Sequence, residues 1–169
     1  MKKFLLIFFF SVSWIFAADY IPEIHCKHFL FGYPTGTPKT NDLIIRDAYA
    51  LSSNDSTKFA DWVCYLMDST TITGSTKDRK WNADPWLDDA ETLEPNDYND
   101  APKTLKIDRG HQAPLASLKG ASDWFTTNYL SNITPQKSDL NQGVWKNLED
   151  KARDLVAIYG QVWVMTGPL

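Results

Sequence analysis

Asp108-Arg109-Gly110-His111-Gln112-Ala113-Pro114-Leu115-Ala116-Ser117 is the stretch on which the reading of this chain turns. Just upstream, Lys103-Thr104-Leu105-Lys106-Ile107 reads as a strand. Further downstream, Leu140, Val144, Leu148, Ala152 and Leu155 recur at three- and four-residue steps. That period predicts a helix from about Ser138 to Ala157, with Ser138 as N-cap and one apolar stripe facing a core. Gly160 suits the C-terminal break, Val162-Trp163-Val164-Met165 reads as a strand, and Gly167-Pro168 as a turn. Towards the N-terminus, Leu43–Ser52 and Phe59–Met67 are rich in branched and aromatic residues and flank Ser53-Asn54-Asp55-Ser56, the pattern of a β-hairpin. Between hairpin and motif, residues 69–102 are polar and rich in turn formers, with Trp81 and Trp86 as packing anchors.

The motif sets an acid, a guanidinium, a glycine and an imidazole side by side. Hydrolysis of a phosphodiester needs a base for water, positive charge for the anionic transition state, and relief for the leaving oxygen. His111 suits the first task, because a free imidazole titrates near ~6.5. A lone histidine is ordinarily a satisfied structural residue; the Asp-Arg-Gly context is what favours chemistry. Arg109 offers fixed charge, Gly110 a close backbone approach, and Asp108 hydrogen bonds that orient its neighbours. On the predicted helix, Asn141, Trp145, Glu149 and Arg153 lie four apart and so share one side. An amide oxygen is a hard ligand suited to Mg²⁺, and Glu149 could hold waters of a hydrated ion. The alternative is a solvated Asn and a surface Glu149–Arg153 ion pair.

The first 18 residues read as a signal peptide: Lys2 and Lys3, an apolar run from Phe4 to Phe16, then Ala17-Ala18. The run is short for a bilayer span, so no stable membrane association is expected after cleavage. An uncleaved anchor is the alternative. Losing two lysines makes the net charge of −4 two units more negative. Tight stoichiometric nucleic-acid binding through phosphate neutralisation is not expected of such a chain, whereas an enzyme must release its product. Export would permit a disulfide between Cys26 and Cys64, closing a loop of roughly 40 residues and contributing up to about 4 kcal/mol; two free thiols are the alternative. His25-Cys26-Lys27-His28 has half the ligands of a metal site, and a surface segment is the favoured reading.

The motif also carries a resemblance. Asp108-Arg109-Gly110-His111 resembles the signature of the DNA/RNA non-specific endonucleases with a ββα-metal active site. The similarity continues through Asn128-Tyr129-Leu130-Ser131-Asn132-Ile133-Thr134-Pro135-Gln136-Lys137-Ser138-Asp139-Leu140-Asn141-Gln142-Gly143, then Trp145 and Leu148-Glu149. It implies an α+β domain, with a central antiparallel sheet flanked by helices, over residues 19–169. It implies His111 as general base, Asn141 as the direct ligand of hydrated Mg²⁺ (Mn²⁺ as an alternative ion), and Glu149 as holder of the ion's waters. Arg109 and Arg79 would stabilise the transition state on the phosphate, Arg153 would help, and Asn132 would support substrate or base. The substrates would be DNA and RNA, the products 5′-phosphorylated, the location secreted or periplasmic, and a homodimer is left open.

Two departures qualify the resemblance. Members of the family continue past the position of Leu169 with further strands, so the C-terminal part of the domain is expected to be missing. The paired N-terminal cysteines of secreted members are not reproduced, since Tyr33 stands near where a partner of Cys26 would fall. An inactive, truncated nucleic-acid-binding remnant is therefore the competing expectation. A carbohydrate-binding module is a third, prompted by the seven Trp, for which core packing is the ordinary explanation. Asn54-Asp55-Ser56 and Asn132-Ile133-Thr134 are glycosylation sequons, and a glycan on Asn132 would obstruct the site.

Overall fold

A computed structural model describes residues 24–29, 32–76 and 79–168; the predicted signal segment lies outside them. A four-stranded antiparallel sheet is built from β1 (Asp42–Ile45), β2 (Ala50–Ser53), β3 (Ala60–Asp68) and β6 (Gln161–Thr166), in the order β1-β2-β3-β6. A separate antiparallel ribbon joins β4 (Ile107–His111) to β5 (Ile133–Lys137). The chain leaves β5 directly into α3 (Ser138–Leu140), a wide π-type turn Asn141–Trp145, and α4 (Lys146–Tyr159). Two strands and the helix that follows them form the ββα unit. Short helices α1 (Ala101–Thr104) and α2 (Leu115–Leu118) bracket β4. This is the α+β, antiparallel architecture that the family resemblance implies.

The central strand β3 is buried or half-buried along its length, as a strand covered on both faces must be. Val63, Tyr65 and Met67 join Ile44, Tyr49, Leu51, Leu118 and Val156 in the main core. Tyr98, Leu130 and Ile133 form a smaller one beneath the ribbon, with Trp81 and Leu93 against it. Helix α4 enters the main core through Val156 and Ala152. Its end is set by Gly160, whose φ of 76° suits a residue without Cβ.

Several expectations are corrected. The first half of the predicted hairpin is itself two strands, because the chain reverses at Arg46-Asp47-Ala48 and the Arg46 N–H donates to the Tyr49 carbonyl at 2.8 Å. Arg46 is buried there and pairs with buried Asp84 at 2.5 Å, a long-range contact that local pattern does not encode. Of the predicted strand Lys103–Ile107, Lys103 and Thr104 instead close a helical turn, Ala101–Thr104, with Pro102 in its first turn. The strand starts at Ile107, after Lys106 at a φ of 57°, so the motif lies within it. Ser138 is not an N-cap: its hydroxyl donates to Asp108 Oδ1 at 2.7 Å.

The predicted helix is also interrupted. Gly143 has φ −104° and ψ −105°, which breaks the four-residue ladder between Asn141 and Trp145. Only the end of the apolar stripe reaches the core: Leu140, Val144 and Leu148 are exposed, and burial runs through Ala152 and Val156. Amphipathic spacing shows that a face is apolar, not what covers it. Trp86 is 63% exposed rather than packed in a core; its ring stacks on the Arg46 guanidinium, 4.2 Å from the ring centroid, and its backbone N–H donates to Asp84 Oδ1 at 3.1 Å.

Cys26 and Cys64 are free thiols, and burial, with Cys26 nearby, pushes the Cys64 thiol up to about 12. His28, expected at the surface, is buried. Its Nε2–H donates to the Arg46 carbonyl at 3.0 Å and its Nδ1 accepts the Leu66 N–H at 3.2 Å. Among the described residues no helix is long and apolar enough to cross a membrane.

Candidate active site

His111 ends β4, opposite Ile133. Its half-buried ring lies 5.3 Å from that of Trp81, and its Nε2 is 3.3 Å from Asn128 Oδ1. An amide oxygen only accepts, so Nε2 carries the proton and Nδ1 keeps its lone pair. Among the described residues nothing bonds that Nδ1. Burial pushes the imidazole down to about 4; the Asn128 bond opposes this and the Arg79 charge adds to it. Near neutral pH the ring is therefore an unprotonated base, as water activation requires.

The partner is held by the chain on both sides. Asn128 closes a 3₁₀ turn, Trp124–Asn128, and is almost wholly buried. Its carbonyl accepts the Asn82 N–H at 3.4 Å, and the Leu130 N–H donates to the Asn82 carbonyl at 2.9 Å. This pins the Trp81-Asn82 segment beside the turn and sets the indole against His111. Around the same indole stand two cations, Arg109 at 5.5 Å and Arg79 at 5.8 Å from the ring centroid. Arg109 also lies over Tyr98, and its Nη2 donates to the Pro95 carbonyl at 2.9 Å. Its Nε is buried with no partner among the described groups, a donor suited to an anion.

A second cluster fills the other side of β4. Asp108 accepts hydrogen bonds from Ser138, from Asn141 Nδ2 at 3.0 Å and from Gln142 Nε2 at 2.8 Å. Burial pushes its carboxyl up, but these three bonds outweigh that and hold it below the usual carboxylate range. The direction of Asn141 is thus set by Asp108 and not by helix phase. With its amide nitrogen engaged, its Oδ1 is left as a hard oxygen donor. Gly110 is required here because a Cβ would come within 2.4 Å of the Gln136 side chain.

Trp145 joins the two clusters. Its indole N–H donates to the His111 carbonyl at 3.3 Å and also lies against the Glu149 carboxylate. Burial pushes Glu149 up to about 7, against the opposing effects of Arg153 and Trp145. The Asn141 amide oxygen and the Glu149 carboxylate are both hard oxygen donors, of the kind that fits a hydrated cation such as Mg²⁺. A separate acidic trio, Asp42, Asp55 and Glu91, lies at the far end of the β1–β2 pair and on the 88–92 loop.

The structure thus gathers His111, Arg109 and Arg79 around Trp81, and ties Asn141 and Glu149 to the same strand through Asp108 and Trp145. Arg153 is turned to Ser117, whose Oγ it meets at 3.0 Å, and to Asp150. Asn132 does not reach a substrate. It is fully buried, donates to the Ala113 and Thr127 carbonyls and accepts the Ala113 N–H, so it braces the backbone around His111 and Asn128. That burial also leaves no room for a glycan on it. Sequence reasoning gave no role to Asn128 and only a packing role to Trp81. The signal available for Asn128 was its place in the conspicuous Asn128–Gly143 run.

The chain is similar to known proteins. The family model for DNA/RNA non-specific endonucleases matches residues 28–169. A nuclease of Serratia marcescens is 56% identical over 140 residues, covering 82% of this chain and 52% of the relative. Human mitochondrial endonuclease G is 35% identical over 138 residues, covering 79% and 45%. A chain of the EndoG/EndoGI complex, solved by crystallography, superposes with a TM-score of 0.68 at 26% identity, covering 79% of this chain and 56% of that one. The chain spans about half the length of the curated relatives it matches.

Proposed function

Because the chain belongs to the DNA/RNA non-specific endonuclease family, we propose that it hydrolyses phosphodiester bonds within DNA and RNA and leaves 5′-phosphorylated products. The observation that carries this reading is His111, an imidazole pushed down to about 4 with Nε2 held by Asn128 and Nδ1 uncommitted. Nδ1 takes a proton from the attacking water, and the Asn128 bond keeps the ring in the tautomer that can do so. Arg109 and Arg79 stabilise the charge that gathers on the phosphate oxygens. Asn141 Oδ1 would hold Mg²⁺, and Glu149 would accept hydrogen bonds from the ion's waters. When bound, the ion supplies positive charge to the phosphate and to the departing oxygen.

Contacts made to phosphates rather than base edges would leave cleavage indifferent to sequence. Acting on both sugars requires only that no contact to the 2′-hydroxyl be essential. Residues 1–18 would direct export to the periplasm or medium, and 19–169 would form the endonuclease domain. The test is incubation of the chain with plasmid and with RNA. Loss of both substrates, abolished by EDTA and by His111→Ala, is the expected result. A cooperatively melting chain that cuts neither would leave a binding remnant in place of an enzyme.

A further inference from the structure

Beside the site runs a groove of about 540 Å³ whose lining includes Lys80, Trp124, Phe125, Asn128 and Tyr129. Asn128 belongs to both: its Oδ1 holds His111 and it also forms part of the groove wall. The groove therefore begins one side chain from the proposed base. Phe125 is 48% exposed, so part of its ring is open to a partner from outside the chain. Its ring meets Trp124 at 6.3 Å and 82°, and Tyr129 at 6.2 Å and 76°. These are edge contacts, so neither neighbour stacks parallel on Phe125. Tyr129 already has the Arg46 guanidinium over its ring, whereas no cation is stacked on Phe125 or Trp124 among the described residues. Lys80 adds an exposed positive charge at the same groove.

We propose that this groove is a stacking subsite for one unpaired nucleobase next to the scissile phosphate, with Lys80 taking a flanking phosphate. The proposal rests on the nuclease reading above and adds a preference for single strands. Aromatic rings accept any base face, so the subsite does not conflict with indifference to sequence. A duplex cannot use it without unstacking a base, which costs free energy. The occupant is argued from three features together: an exposed ring, a cation suited to phosphate, and continuity with His111 through Asn128.

The test uses the full chain carrying His111→Ala, so that the probe stays intact. Fluorescence anisotropy is read on three probes of equal length: oligothymidylate, an abasic deoxyribose-phosphate strand, and duplex DNA. Adding Phe125→Ala should raise Kd for oligothymidylate about tenfold, within the range expected for one stacked base. The abasic strand and the duplex should stay within about twofold. Phe125→Leu, which keeps apolar bulk without a ring, should show the same loss, and Phe125→Tyr should restore binding. Lys80→Ala should weaken all three probes. Equal weakening of all three by Phe125→Ala, or no weakening of oligothymidylate by Phe125→Leu, would overturn the subsite. Failure of the nuclease reading shows separately, as uncut oligonucleotide after incubating the unsubstituted chain with Mg²⁺.

Discussion

His28 and His111 are both withdrawn from water, and burial lowers the pKa of both. They differ in what becomes of the ring nitrogens. At His28 both are used by backbone, Nε2–H on the Arg46 carbonyl and Nδ1 under the Leu66 N–H. That ring is a rivet between the N-terminal segment and the sheet. At His111 one nitrogen is held by Asn128 and the other faces no protein group among the described residues. Its neighbours are also of another kind: an indole and two guanidinium groups in place of peptide. What separates a structural from a chemical histidine here is a spare lone pair beside positive charge, not burial.

This contrast can be broken at either ring. The largest effect expected is from His111→Ala, a loss of about 10³-fold or more in kcat on plasmid or RNA, since general-base catalysis alone is worth on the order of 10²–10⁴. Asn141→Ala comes next. It should raise the Mg²⁺ concentration needed for half-maximal rate at least about tenfold, read by titrating the ion, because a direct ligand is lost. Asn128→Ala should lower kcat about tenfold or more by freeing the tautomer. The Asn128 bond raises the His111 pKa, so its loss moves the acid limb of the rate profile to lower pH. An acid limb that moved upward would break the assignment of Asn128.

The smallest effect on rate is expected at the other ring. His28→Ala should leave kcat within about twofold while lowering the melting temperature. It strands the buried Leu66 N–H and Arg46 carbonyl, at about 2 kcal/mol. The two rings should also share one pH signature. Both are neutral in the fold, whereas in the unfolded chain they take a proton near ~6.5. Unfolded chain then binds more protons below that value, so their joint contribution is complete above about pH 6.5. It is lost as pH falls, ending near 4 for His111. Thermal melts between pH 7 and 4 check this, and the slope should shrink in both single variants.

Helix α4 and the strand after it were legible because their residues announce them locally, whereas the β4–β5 ribbon was not. A terminal break at Gly160 and the apolar strand after it are properties of neighbours in sequence, whereas the bar to a Cβ at Gly110 comes from Gln136 across the ribbon. The split of the first hairpin was not, because it depends on Arg46 finding Asp84 far along the chain. The exposed stripe of Leu140, Val144 and Leu148 was misread for a related reason: periodicity carries no information on the partner surface. Among the site residues, His111 and Arg109 stood out as chemical types in a motif, while Arg79 came from the resemblance alone. Asn128 and Trp81 did not, since an amide and an indole acquire their roles only from the segment pairing of Asn82 with Tyr129.

The account stands on the state of one imidazole, and NMR of ¹⁵N-labelled histidine in the full chain reads that state directly. The His111 ring should be the Nε2–H tautomer at neutral pH and titrate near 4. A ring protonated at Nδ1, or one that titrates at or above ~6.5 like free imidazole, would contradict it.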